Sequence, residues 1–185
     1  MKQYRKQDYP VADIRRFLEP GPVVLVSSQW QGQHNVMTMG WHMILEFTPS
    51  LFGCLISPAS HSYQMVRRSK QCVINLPTAE LIDQVVAIGN SSGADVDKFA
   101  AFGLTPVAGD MVQAPLIAEC YASFEMQLIG GRQNPRDGLF IWKCVKAHVA
   151  QTPRLPETLH YRGDGQFMIS GRTISRRSRF KPEML

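Results

Sequence analysis

The sequence predicts a mainly β fold, a β-barrel of antiparallel strands with added helices. Three observations lead there. Short apolar runs recur along the chain, each bounded by glycine, proline, asparagine or serine, the pattern of short strands. Only three brief stretches have helical spacing. No Gly-x-Gly-x-x-Gly opens a helix after a strand and no P-loop is present, which sets aside a doubly wound nucleotide fold. Many strands with few helices point to an antiparallel barrel. The 185 residues suit one domain, placed at 1–171, followed by a basic tail at 172–185.

Taken in order, residues 1–7 are polar and basic with no apolar core behind them, so they are not read as a signal peptide. Residues 23–27 form the first clear strand. Gln31, Gly32 and Gln33 signal a turn, and Asn35 begins the return strand of a hairpin. Thr48, Pro49 and Ser50 break the chain before a strand at 51–56. Tyr63, Val66 and Met65 line one face of a short helix, with Arg67, Arg68 and Lys70 on the wet side. Residues 72–76 are a buried strand stopped by Pro77. Leu81, Ile82, Val85, Val86 and Ile88 fit a helix at 79–88, ended by the loop 89–93. Asp95 is expected to cap a further short helix through Phe99, with Lys98 in its first turn. Two long strands follow at 116–129 and 140–150, joined by a turn-rich segment at 130–138. A small hairpin at 158–162 and 166–169 closes the chain. There are no internal repeats.

Composition excludes several classes. The apolar fraction of 44% and the charged fraction of 19% are those of a soluble globular protein. No run reaches the roughly 18 apolar residues that span a bilayer. The net charge of +5 comes from the tail, where Arg172, Arg176, Arg177, Arg179 and Lys181 stand without an acid; without those five, 15 basic residues face 15 acidic ones. The body thus has no basic excess, and neither nucleic acid nor membrane is expected as a partner. Cys54, Cys72, Cys120 and Cys144 lie far apart, with no metal-ligand spacing, and read as reduced buried thiols of a cytoplasmic protein. The five histidines form no H-x-x-x-H pattern, so no metal site is expected.

The stretch 35–63 carries the chemistry. Two apolar, strand-like runs end in small polar residues. Such side chains let a flat ligand approach the backbone, whose N–H and C=O groups read its polar edge. Ser60, His61 and Ser62 fall at the start of a helix, where free N–H groups suit a phosphate. Each residue also has an ordinary reading. Met37 and Met39 share one side of a strand, as core residues do, and Thr38 points the other way. Trp41 and His42 read as a core aromatic and a satisfied histidine, Cys54 as a small core residue, Ser57 as a strand-end cap. Lys98, at the wrong end of the helix dipole, is either a surface lysine or an anion ligand.

The order Asn35-Val36-Met37-Thr38, then Cys54-Leu55-Ile56-Ser57-Pro58, then His61-Ser62-Tyr63, resembles the flavin reductase-like family of FMN-binding split barrels, and its flavoredoxin-type subgroup most. Val73-Ile74-Asn75-Leu76-Pro77, Asp97-Lys98-Phe99, Ala118-Glu119-Cys120 and His160-Tyr161-Arg162-Gly163 agree with it. Many members have arginine just before the His61 position, where this chain has Ser60. The resemblance implies a split barrel that binds FMN. Backbone around Asn35, Val36, Met37, Thr38 and Met39, and around Cys54, Leu55, Ile56 and Ser57, would meet the ring's polar edge and ribityl chain. Ser57, His61, Ser62 and Lys98 would hold the phosphate and ribityl oxygens, and Cys54 would neighbour the ring. No residue is named as catalytic.

The implied activity is that of an oxidoreductase, an NAD(P)H-dependent flavin or ferric reductase. The alternative is a flavoredoxin-type electron carrier fed by a redox protein partner, and a more distant one is a non-redox FMN-binding module. The family likeness also implies a homodimer. The apolar residues at both parities of the strands 116–129 and 140–150 add an independent reason, since such strands need cover on both faces.

Overall fold

Seven antiparallel strands form one sheet in the order β2 (Gln33–Met39), β1 (Val24–Trp30), β5 (Gln71–Leu76), β8 (Ala122–Leu128), β9 (Leu139–Val149), β4 (Leu51–Leu55), β3 (His42–Glu46). In this computed structural model residues 21–129, 138–153, 155–179 and 181 are described. The N-terminal segment 1–7 and most of the joint 130–138 lie outside them. Two small pairs stand beside the sheet, β6 (Pro106–Val107) with β7 (Leu116–Ile117), and β10 (Leu159–Gly163) with β11 (Gln166–Ile169).

The two edge strands of the sheet are β2 and β3, yet only Gly40 and Trp41 separate them in sequence. Three Cα–Cα steps reach at most about 11 Å. The sheet must therefore curl until its edges meet, and the mainly β barrel expected from the sequence follows. Its interior is one apolar cluster drawn from all round the sheet: Val24, Val26, Met39, Phe52, Cys54, Cys72, Ile74, Met126, Phe140 and Trp142. Alternation sends Leu25 and Val36 to the outside, where they pack with Val85, Ile88 and Phe99 of the helices.

Three α-helices are found among the described residues: α1 (His61–Ser69), α2 (Ile82–Gly89) and α3 (Lys98–Ala101). Tyr63 and Val66 of α1 join the barrel cluster, and Ser28 at the end of β1 donates to the Met65 sulfur at 3.7 Å. A buried polar knot ties the sheet together. Asn75 donates to the Leu25 carbonyl and to Ser27, and accepts from Ile117 N–H at 3.1 Å and from Ser123 at 2.7 Å. An apolar substitute at 75 would orphan these partners.

Several expectations are corrected. The strand 116–129 is two, because the chain turns at 118–121 and β7 leaves the sheet to pair with β6. Asp97, not Asp95, caps α3, accepting from Phe99 N–H at 3.0 Å and Ala100 N–H at 3.3 Å. Trp41 is 57% exposed rather than in the core. His42 is satisfied by the Pro22 carbonyl at 2.7 Å. Cys54 and Cys72 are buried, but Cys120 and Cys144 are only partly so; all four are free thiols.

Candidate functional site

A cavity of about 250 Å³ opens where the outer part of β2, the start of α1, the loop after α2 and the start of α3 converge. Asn35, Met37, Thr38, Ser60, His61, Ser62, Ser91, Ser92, Gly93 and Lys98 are among its lining residues. Its most telling member is Lys98. The residue is 5% exposed, and its ammonium donates to the Ile88 carbonyl at 2.9 Å. No carboxylate pairs with it among the described residues. Burial pushes its pKa below the ordinary lysine value. A buried cation without a counter-charge is costly, and an anion in the cavity would remove that cost.

The start of α1 adds to this. Ser60 occupies the cap position in extended conformation with no side-chain hydrogen bond, and no acid stands in the first turn. The Tyr63 amide bonds the Ser60 carbonyl at 3.1 Å, which leaves the His61 and Ser62 amides and the positive end of the helix dipole for an anion. Arg67 and Arg68 sit in the last turn, where they favour the helix. Ser62, 1% exposed, accepts from the Asn35 side-chain amide at 2.8 Å. An ammonium, serine hydroxyls and an open helix N-terminus form a donor set for a phosphate monoester, not for a metal cation.

A second cavity, about 580 Å³, shares Thr38 and Gly89 with the first. Val23, Trp41, Val85, Val86, Tyr161 and Phe167 make its lining largely apolar and aromatic. The Thr38 hydroxyl, between the two, donates to the Val85 carbonyl at 2.6 Å, which fixes α2 against β2. A polar pocket for an anion next to an apolar one for a flat ring is the chemistry that a nucleotide-like ligand requires.

The structure brings together Asn35, Met37, Thr38, His61, Ser62 and Lys98. Val36, Met39, Cys54 and Ile56 lie with their side chains in the cores, so only their backbone is available. The Cys54 sulfur accepts from Trp142 Nε1–H at 3.3 Å, and burial pushes the thiol up to about 12, so it stays protonated. Leu55 and Ser57 are exposed, and Ser57 Oγ accepts from Ala59 N–H at 3.3 Å. Sequence reasoning missed the loop Ser91-Ser92-Gly93 as part of the site. Its only signal was turn composition, which does not say what the turn approaches.

Elsewhere, Asp110, Glu125 and His148 are gathered, their ligand atoms within 4.8 Å of one another. Glu125 is fully buried, and its oxygens are already taken. They accept from the amides of Asp110, Met111 and Val112 at 3.0, 2.6 and 2.8 Å, and pair with His148 Nε2 at 2.7 Å. This is a clasp that ties the 110–112 loop to β8 and β9.

Comparison with known proteins agrees with the fold. The model described as flavin reductase like domain matches residues 15–168. The chain is 28% identical over 174 residues to the uncharacterized protein YddH of Escherichia coli K12, covering 86% of this chain and 92% of that one. Among solved structures it is similar to an FMN-binding domain of flavin reductases-like enzyme from Shewanella baltica, with TM-score 0.76, 27% identity and coverage of 90% and 95%. A flavoredoxin from Methanosarcina acetivorans shares the fold at TM-score 0.82 and 18% identity, covering 98% of this chain and all 100% of that one.

Proposed function

The chain belongs to the flavin reductase like domain family, and from that premise we propose that it is an FMN-binding oxidoreductase, an NAD(P)H-dependent flavin or ferric reductase. The observation that carries the reading is the buried Lys98 ammonium, without an acidic partner among the described residues, at a cavity on the open end of α1. Lys98, His61 and Ser62 hold the phosphate. Thr38 and the backbone of 35–39 and 54–57 meet the ribityl chain and the ring's polar edge, and the larger apolar cavity receives the flat ring. Bound there, FMN supplies two-electron and one-electron redox chemistry. The protein's residues anchor the phosphate, orient the ring and exclude water from one of its faces.

The reading includes a homodimer in the cytoplasm. Support for the dimer comes from β3 rather than from the strands first expected to provide it. Met43 and Ile44 of β3 and Phe47 just beyond it are 60%, 62% and 86% exposed, apolar surface that water disfavours. The free thiols fit a reducing compartment. The test is a titration with FMN and with riboflavin, followed by steady-state oxidation of NADH and NADPH with free flavin or ferric chelate as acceptor. Tight FMN binding with weak riboflavin binding and turnover is expected. FMN binding without turnover would favour the electron-carrier reading, which the likeness to flavoredoxin supports. No FMN binding at micromolar concentration would overturn both.

A further inference from the structure

Asn35 is 3% exposed, and its Oδ1 has no hydrogen-bond partner among the described residues. Its Nδ2 donates to Ser62 Oγ at 2.8 Å, and both residues line the anion cavity. An amide that donates to a hydroxyl occupies the hydroxyl's lone pair and leaves its proton to be given elsewhere. No protein acceptor for that proton is found among the described residues. Turning the amide over would let Ser62 donate to Oδ1, and the unpartnered atom would then be the –NH₂. In the orientation found, the Ser62 O–H is the proton left free for a ligand in the cavity, which is what an anion needs.

Gly93 is the third part of this arrangement. A Cβ placed on residue 93 would lie 2.1 Å from Asn35 Oδ1 and 2.5 Å from its Cγ. That distance is far inside van der Waals contact, and the amide is buried and bonded to Ser62, so it has little room to give way. Glycine at 93 lets the loop after α2 close directly on the Asn35 amide and hold it against Ser62.

We infer that Asn35 is a positioning residue for phosphate. It acts through Ser62, making that hydroxyl a hydrogen-bond donor to a phosphate monoester, and Gly93 is small in order to leave the amide its place. The inference rests on the proposed FMN reading and adds to it the determinant that separates the phosphorylated ligand from the unphosphorylated one.

The test measures dissociation constants for FMN and for riboflavin, with thermal melting as the check on folding, in the unmodified protein and in Asn35→Asp, Asn35→Ala, Ser62→Ala, Gly93→Ala and the Asn35→Ala/Ser62→Ala pair. Asn35→Asp keeps the shape but accepts the Ser62 proton and adds a negative charge. It is expected to lower the preference for FMN over riboflavin by about 100-fold. Asn35→Ala and Ser62→Ala are each expected to lower it about 10-fold, and the double variant no further than either. Gly93→Ala should lower it in the same direction. A merely structural Asn35 would weaken FMN and riboflavin equally, and that result overturns the inference while leaving the FMN reading intact. If Asn35→Asp does not fold, additive losses in the Asn35→Ala and Ser62→Ala cycle overturn it as well. Failure of the unmodified protein to prefer FMN overturns the phosphate reading itself.

Discussion

A lysine that is 5% exposed, its ammonium given one carbonyl acceptor among the described residues, destabilises the free protein and favours a bound anion. Lys98→Met is therefore expected to raise or preserve the melting temperature of the free protein while weakening FMN by about 2–4 kcal/mol. Riboflavin should be nearly unaffected. Calorimetric titration beside a melting curve checks both halves. The pH dependence has a definite sign. Burial lowers the Lys98 pKa below 10.5, so the ammonium is lost earlier than an ordinary lysine's on raising pH. FMN affinity should fall through the alkaline range and should do so less in Lys98→Met. At this scale the sequence was partly legible. A lysine in the first turn of a helix runs against the dipole, and that conflict marked Lys98. The Asn35 amide, by contrast, meets Ser62 across 27 residues of chain, a contact that only the barrel creates.

At the scale of elements, the clasp between β8, β9 and the 110–112 loop has an acid-sensitive core. Burial works to raise the Glu125 pKa, but the hydrogen bonds from His148 and the three amides outweigh it and hold the carboxyl below 4.5. A carboxylate with a depressed folded-state pKa contributes its full stability above the unfolded value and loses it as pH falls through the folded value. Asp110 with its Lys146 partner at 3.3 Å is the other charged pair of the clasp. Glu125→Gln should cost about 2 kcal/mol at neutral pH, since an amide –NH₂ would face backbone donors. It should also flatten the fall of melting temperature with acid, which a pH series of melts would show; an unchanged slope would assign the acid sensitivity to other groups. Helices α1 and α2 were legible from their spacing. The strand β3 was not, because Met43, Ile44 and Leu45 are all exposed and give no alternation. A pattern that needs cover from outside the chain cannot be read as buried on one face and wet on the other.

For the whole molecule, the same exposed apolar residues at β3 make the proposed dimer testable. The chain weighs 20.8 kDa, and sedimentation equilibrium in the low micromolar range should report twice that mass. Ile44→Lys, a charge placed in an apolar contact, should return it to the single-chain mass. A single-chain mass for the unmodified protein with FMN bound would end the proposal. Strand content was legible in the sequence as a pattern of short apolar runs. Strand order was not, since β1 pairs with β5 and β4 with β9 through contacts far apart in the chain.

The link of Gly40 and Trp41 between the sheet's two edges has a consequence for hydrogen exchange. Among the described residues β2 pairs only with β1. The two-residue turn makes Trp30 and Gln33 a hydrogen-bonded pair. By alternation the amides of Met37 and Met39 bond to β1, while those of Val36 and Thr38 face the unpaired side. In the free protein the Val36 and Thr38 amides should therefore trade deuterium quickly although their strand belongs to the barrel, and those of Met37 and Met39 slowly. A ligand lying along that side takes the place of the missing neighbour strand, so its arrival should slow Val36 and Thr38 alone. The exchange pattern of four consecutive residues would then show whether the ligand lies along the strand or only at its end.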